Sequence, residues 1–458
     1  RRFDPVLDWT LLGNAMDFVT DSSGRTAAIA AAAGVALLAV GLVVVMALAM
    51  RRLAEVVAWH VTVSPAAVTA ATAVWITCSL LGTQVVPGVT FAAKHASALT
   101  YARLRQANAS LQDQRAFVAE AADDAFAGTP GAQLLTGLRG KNVAVVFVES
   151  YGRTAVEGPE YAAEIGAVLE AGNRRLSAAG YASRSGFLTS PTAGGGSWLA
   201  QATFLSGLWI NNQDRFRNLV SSDRLTLGAA FRRASWPTAA VRPGVTRAWP
   251  EGEFYGYDRV YDSRNLGYRG PEFGWSDMPD QYTLSAFERA DRPIRDRTPT
   301  MTEIALTSSH LPWAPLPTMI DWDDVGDGSV YGPIAAAGKK RKAVWRDPAL
   351  VRAEYRRSIV YSLNTLISYV ETFRDDDLVL VFLGDHQSTP MVTGKGAGSD
   401  VPITVVARDR AVLDRIAGWG WQDGLKPGPD APVWPMNEFR DRFLTAFGSR
   451  PAPPAPGR

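Results

Sequence analysis

The chain has 458 residues, 47% of them hydrophobic and 20% charged, enough to bury one large core plus a smaller element, which excludes a disordered chain. A formal net charge of +2 offers no electrostatic case for a nucleic-acid partner. The single cysteine, Cys78, excludes an internal disulfide framework and thiolate zinc sites, so any chemistry must rest on oxygen and imidazole groups.

Residues 1–25 contain no apolar h-region and do not read as a signal peptide; with Arg1 at the start, further spans could precede it. "TAAIAAAAGVALLAVGLVVVMALAM", residues 26–50, carries no charge and lies between Arg25 and the pair Arg51, Arg52. A helix of about 20 apolar residues crosses the hydrocarbon layer of a bilayer, so this run predicts a membrane span. "VTVSPAAVTAATAVWITCSLLG", residues 61–82, is less apolar but follows closely and predicts the return arm of a transmembrane hairpin over 26–82. The paired arginines in the short loop favour the cytoplasmic side, which sends residues 1–25 and everything after 83 outward. Lys94, Arg103 and Arg105, on the other side, weaken that bias.

Residues 83–140 read as a linker, helical over 96–126, where helix formers run without Gly or Pro, and broken by "AGTPGAQ". An extracytoplasmic domain is expected over 141–448, followed by a disordered Pro-rich tail at 449–458. Apolar runs suited to buried strands near 142–148, 237–241, 301–307, 377–383 and 402–407 alternate with helical stretches at 160–178, 197–207, 225–234, 351–373 and 436–446. This alternation predicts an α/β fold with a mostly parallel central sheet flanked by helices.

Three of the strands end in groups that can bind a metal or move a proton: "VAVVFVES" in Glu149, "EIALTSSH" in His310 and "LVLVFLGDH" in Asp385 and His386. Ligands of open α/β sheets bind at the carboxyl ends of parallel strands, so residues distant in the chain converge there. Singly, each has an ordinary alternative: a turn carboxylate for Glu149, a packed loop histidine for His310, a turn cap for Asp385. In "SPTAGGGSWLAQATFLSG", three glycines precede Ser197 at the start of an apolar helix. Its free N–H groups and positive dipole suit an anion, which makes Ser197 the candidate nucleophile, with Thr192 its rival and a plain N-cap the alternative.

Taken in order, "VVFVES", "GGGSWLAQATFLSG", "ALTSSHLPW" and "VFLGDHQ" resemble the alkaline phosphatase and sulfatase superfamily, and within it the membrane-anchored lipoteichoic acid synthase type of phosphoglycerol transferase. The resemblance covers residues 142–387 and implies an alkaline phosphatase-like fold in a bacterial cell membrane protein. It implies one metal ion on Glu149, Ser197, Asp385 and His386, with His310 beside the phosphoryl group. Members of this type commonly use threonine where Ser197 stands. They also carry a Trp followed two residues later by a phosphate-holding Arg, whereas here Trp249 is followed by Glu251, leaving Arg247 as the substitute charge. The mostly oxygen donor set favours Mn²⁺, with Mg²⁺ and Zn²⁺ as the other candidates.

The function this implies is transfer of a phosphoglycerol group from phosphatidylglycerol, through Ser197, to an envelope glycan or lipoglycan. The alternatives are a phosphoethanolamine transferase, a phosphodiesterase that passes the group to water, and an inactive envelope-binding protein.

Overall fold

The computed structural model describes residues 25–59, 69–70, 72–74, 76–78, 84–86, 89–90, 105, 112–295 and 298–449. The chain divides into two compact units, Arg1–Arg115 and Ala116–Arg458. The second therefore takes in residues 116–140, which the sequence assigns to the linker.

In the first unit, helix α1 (Arg25–Trp59) contains the expected first span. Its segment Ile29–Val56 is long and apolar enough to cross a membrane, and none of its described side chains is buried. Leu37 and Leu38 lie 73% and 76% exposed, an arrangement that costs free energy in water and little in lipid. The second expected span lies mostly outside the described residues; its described pieces, 69–70, 72–74 and 76–78, are helical. Within the expected helical linker, Gln84–Val86 and Val89–Thr90 instead pair as antiparallel strands, and 112–122 is helix.

The second unit is built on a nine-stranded sheet. In chain order its strands are β1 (Asn142–Val148), β2 (Ala182–Thr189), β3 (Thr238–Arg242), β4 (Arg259–Asp262), β5 (Met301–Leu306), β6 (Leu378–Gly384), β7 (Asp400–Ala407), β8 (Gln422–Asp423) and β9 (Val433–Pro435). Their spatial order is β8-β2-β7-β6-β1-β5-β3-β4, with β9 also on β2. β6, β1, β5, β3 and β4 are mutually parallel, while β7 and β8 run against their neighbours. The expected mostly parallel α/β sheet is present.

Alternation along the strands explains why they read as unbroken apolar runs. Val143, Val145 and Phe147 of β1 enter one core while Val146 and Val148 enter the other; in β6, Val379, Val381 and Leu383 oppose Leu378, Leu380 and Phe382. The main helices are α2 (Ala162–Ala178), α3 (Ser197–Ser206), α4 (Asp280–Arg295), α5 (Pro348–Thr372) and α6 (Phe439–Phe447). α3 and α6 pack on the first face, where Phe204 stands edge-on to Phe147 at 5.5 Å and stacks on Phe439 at 4.3 Å. α2, α4 and α5 cover the second.

The sequence misses β2 and α4 for a common reason. Both bury polar side chains: Ser183 and Ser185 in "ASRSGFLT", and Asp280, Gln281, Thr283 and Glu288 in α4. Their partners are remote, as when the Ser185 hydroxyl donates to Gly424 O at 2.8 Å and that of Ser362 to Asp280 Oδ2 at 2.6 Å.

Register sets up the functional edge. Val148 of β1 lies opposite both Leu306 of β5 and Gly384 of β6, so the three central strands finish in line. The residues that follow, Glu149, Thr307 to His310, and Asp385 with His386, leave the sheet at one rim.

Candidate active site

Glu149 leaves β1 through a sharp turn. Ser150 has φ of 57°, a left-handed conformation that costs a non-glycine residue roughly 1–2 kcal/mol. Its neighbours hold it there: Ser150 N–H donates to Asp385 Oδ1 at 2.8 Å, and Tyr355 on α5 donates to Ser150 O at 2.9 Å. The Ser309 hydroxyl donates to Glu149 O at 2.6 Å, tying the loop after β5 to the same turn.

Ser197 arrives from the other core. Gly195 and Gly196 adopt φ of 140° and 84°, values that glycine tolerates and L side chains rarely do, and they swing the chain into α3. Gly196 occupies the N-cap position, so Ser197 is the first residue of the helix and its hydroxyl is not spent on capping. Gly194 N–H donates to Gln387 O at 2.7 Å, joining this loop to the one after β6.

The four expected residues meet. Ser197 Oγ donates to Glu149 Oε2 at 2.8 Å and lies 3.2 Å from His386 Nε2. His386 Nε2 is 3.3 Å from Glu149 Oε1 and 3.8 Å from Asp385 Oδ2. The imidazole is oriented by its far nitrogen, Nδ1, which sits 2.8 Å from Gln387 O. Asp385 divides its labour: Oδ1 accepts from the backbone N–H groups of Ser150 and His386, the turn-capping role, while Oδ2 is buried and accepts no hydrogen bond.

The electrostatics call for a cation. Burial, and then the Glu149 charge, push Asp385 up to about 7. Burial opposes charge on His386, yet Asp385 and then Glu149 outweigh it and raise the imidazole to about 10. Burial works against the Glu149 charge as well, but His386 and then His310 hold that carboxyl well below the usual range. A proton on His386 thus sits beside two buried carboxyl groups. One ligand atom each from Glu149, Asp385 and His386 lies within 4.8 Å of the others, a set able to hold a metal ion. The orphaned Asp385 Oδ2 is the observation that fits a resident cation, since a buried carboxylate oxygen without a partner is costly.

His310 stands beside this group, close enough for its charge to act on Glu149. Its ring stacks on Trp275 with centroids 4.4 Å apart, and Nδ1 lies 2.5 Å from Leu311 O, which leaves Nε2 for a ligand. Trp249 is engaged differently: it stacks with Tyr255 and Tyr257 and carries the Arg242 guanidinium at 4.6 Å over its ring. Arg247 is exposed and Trp249 is half-buried.

Three supporting residues escape the sequence. Gln387 orients His386 and the nucleophile loop; it sits inside the "GDHQ" motif, but its carbonyl acts through backbone geometry that residue type does not reveal. Ser190 likewise donates to Asp385 O at 2.7 Å. Arg242, at the carboxyl end of β3, bonds Gln201 one turn along α3 from Ser197 and Glu303 at 2.7 Å; the strand-end rule applied to "TAAVR" would have flagged it.

No protein-family model matches the chain. No curated protein matches it in sequence. Among solved structures it is similar to the lipoteichoic acid synthase LtaP from Listeria monocytogenes, at 14% identity and a TM-score of 0.46 over 69% of this chain and 74% of that one. It is also similar to the C-terminal periplasmic domain of EcEptC from Escherichia coli (14% identity, TM-score 0.44, 67% of this chain and 82% of that one). The Streptococcus pyogenes phosphoglycerol transferase GacH in complex with sn-glycerol-1-phosphate gives 12% identity and a TM-score of 0.41 over 73% and 91%.

Proposed function

We propose that this protein is a metal-dependent phosphoglycerol transferase, tethered to a bacterial cell membrane by α1, that moves a phosphoglycerol group from phosphatidylglycerol through Ser197 to an envelope glycan or lipoglycan. The supporting observation is the Ser197 hydroxyl held 2.8 Å from Glu149 and 3.2 Å from His386, beside an unpartnered Asp385 oxygen.

In the first step Ser197 Oγ attacks the donor phosphorus and its proton leaves to solvent. The new Oγ–P bond forms as the bond from phosphorus to the diacylglycerol oxygen breaks, and His310 protonates that oxygen. In the second step an acceptor hydroxyl gives its proton back to His310 and attacks phosphorus. The Oγ–P bond breaks and Ser197 recovers its proton from solvent. Glu149, Asp385, His386 and Ser197 would hold a divalent ion, Mn²⁺ being favoured, whose charge would lower the pKa of the serine hydroxyl and polarise the phosphoryl group. Trp249 and Arg247 are assigned to the glycerol side of the donor.

The test incubates detergent-solubilised protein with Mn²⁺ and phosphatidylglycerol labelled in its head group. Diacylglycerol release and label on the Ser197 peptide are expected, and Ser197→Ala is expected to lower release at least a thousandfold. Unchanged release by Ser197→Ala would sink the covalent mechanism, and faster turnover of phosphatidylethanolamine would reassign the donor.

A further inference from the structure

Residues 339–346, "KKRKAVWR", place five basic side chains and one tryptophan in eight positions, in a chain whose net charge is only +2. Lys339, Lys340, Arg341, Lys342, Trp345 and Arg346 are all exposed. The run borders the active site. Arg341 donates to Gly274 O at 3.1 Å, beside Trp275, whose ring stacks on His310; the Trp345 indole N–H donates to Pro312 O at 2.9 Å, in the loop that leaves His310. We propose that this basic and aromatic border docks on an anionic lipid surface, a contact that neither the metal site nor the transfer reading above requires.

Charge argues for an anionic partner. The first acid after the run, Asp347, caps α5 by accepting from Ala349 N–H at 2.8 Å. Lys339 is held by Glu354 at 2.6 Å, but among the described residues no carboxylate pairs with Lys340, Lys342 or Arg346. A run of like charges repels itself. An anionic surface relieves that repulsion, and each basic residue near it strengthens association about fivefold.

The tryptophans argue for a bilayer over a soluble polyanion. The three most exposed tryptophans of the second unit are Trp198, Trp275 and Trp345, at 42%, 49% and 37%. All three stand at the site: Trp198 follows Ser197, Trp275 covers His310, and Trp345 stacks on Trp313 of the loop after His310, centroids 6.0 Å apart. The indole N–H of Trp345 is already bonded, as is that of Trp198, which donates to Gln213 at 3.0 Å, so what these rings have left to offer is carbon. A solvated basic face gains nothing from exposed indole carbon. At a membrane–water interface the rings enter the headgroup layer while lysine and arginine stems reach the phosphates. The candidate span Ile29–Val56 in the same chain keeps a bilayer within reach.

The test attaches an environment-sensitive nitrobenzoxadiazole dye to the thiol of Ala343→Cys in the full chain carrying Cys78→Ala. The protein is placed in nanodiscs of phosphatidylcholine, or of an equal mixture with phosphatidylserine, an anionic lipid that is not the proposed donor, with and without brominated acyl chains. Bromine quenching of the dye is expected in the mixed discs and not in the neutral ones, and it should weaken as salt is raised. Lys340→Gln, Lys342→Gln and Arg346→Gln together should lower the docking equilibrium constant about 100-fold, at about fivefold per charge. The thermal transition of that triple variant should match wild type, since none of the three side chains is in a described ion pair. Equal quenching in neutral discs, quenching that survives the triple variant, or none in either disc overturns the proposal. A dye response to soluble polyphosphate in neutral discs, with no quenching in the mixed ones, overturns it in favour of an anionic polymer. Because phosphatidylserine is the probe, docking and donor turnover fail separately.

Discussion

At the scale of single residues, Asp385 carries the sharpest expectation because its two oxygens have different work. Oδ1 holds the turn together and Oδ2 faces the other ligands unpaired. Asp385→Asn retains an oxygen for the turn but places an NH₂ donor where a cation would sit. Divalent-ion affinity measured by titration calorimetry should therefore fall by at least about 100-fold, an upper value for the loss of even an outer-sphere partner. The thermal transition without metal should stay or rise, since burial beside Glu149 already disfavours that charge. Unchanged affinity would remove Asp385 from the ligand set. Glu149, Asp385 and His386 were legible beforehand because each terminates an apolar run, and parallel strands deliver such ends to one rim. Ser190, Ser309 and Gln387 were not: the two serine hydroxyls donate to backbone carbonyls far away in the chain, and Gln387 acts through its own carbonyl, so residue type reveals none of these contacts.

At the scale of an element, β6 must finish on a glycine. A Cβ at Gly384 would stand 1.8 Å from Tyr151 O, a backbone atom of the turn that carries Glu149 and Ser150. Gly384→Ala should force β6 and that turn apart, costing about 1–3 kcal/mol as an overpacked core does. The same shift moves Asp385 and His386 off their partners, so melting temperature and divalent affinity should fall together. A variant that loses stability yet binds metal normally would show that the strand end and the site are mechanically independent. Elements were readable where both faces are apolar, as in β1 and β6. They were opaque where polar side chains are buried against remote partners, as in β2 and α4.

At the scale of the whole second unit, an ion cluster joins its beginning to its end. Asp124 takes a two-pronged bond from Arg440 on α6, both contacts 2.9 Å, and Arg224 approaches at 3.4 Å, with all three side chains buried. Burial works against the Asp124 charge, but the Arg440 hydrogen bonds and charge outweigh it and lower its pKa. A carboxyl lowered on folding adds stability above its unfolded value, and that stability drains away as pH falls through the folded value. Asp124→Asn takes the carboxylate from Arg224 and leaves Arg440 with Asp441 alone, at 2.7 Å, so the loss at neutral pH should be about 3 kcal/mol, the lower end for a broken buried pair. Thermal melts across the acid range should show the gap between wild type and variant closing as pH falls; a constant gap would mean the pair does not govern acid stability.

The sequence alone pointed to the apolar span at 26–50, the α/β class, and metal-capable groups at strand ends in Glu149, Asp385 and His386; Ser197 joined that set only through the resemblance of its motif. These are properties of local pattern: unbroken apolarity, alternation of strand and helix, and chemistry at strand ends. Only the tertiary structure decided that the four close to hydrogen-bond distances, that one Asp385 oxygen is left bare, and that Trp249 packs on Arg242 and two tyrosines. It also decided that a basic run with an exposed tryptophan borders His310. The reason is physical: register between β1 and β6 brings Glu149 and His386, 237 residues apart in the chain, to 3.3 Å, and the glycine turn before α3 carries Ser197 to the same rim. No local pattern encodes the strand order that brings this about.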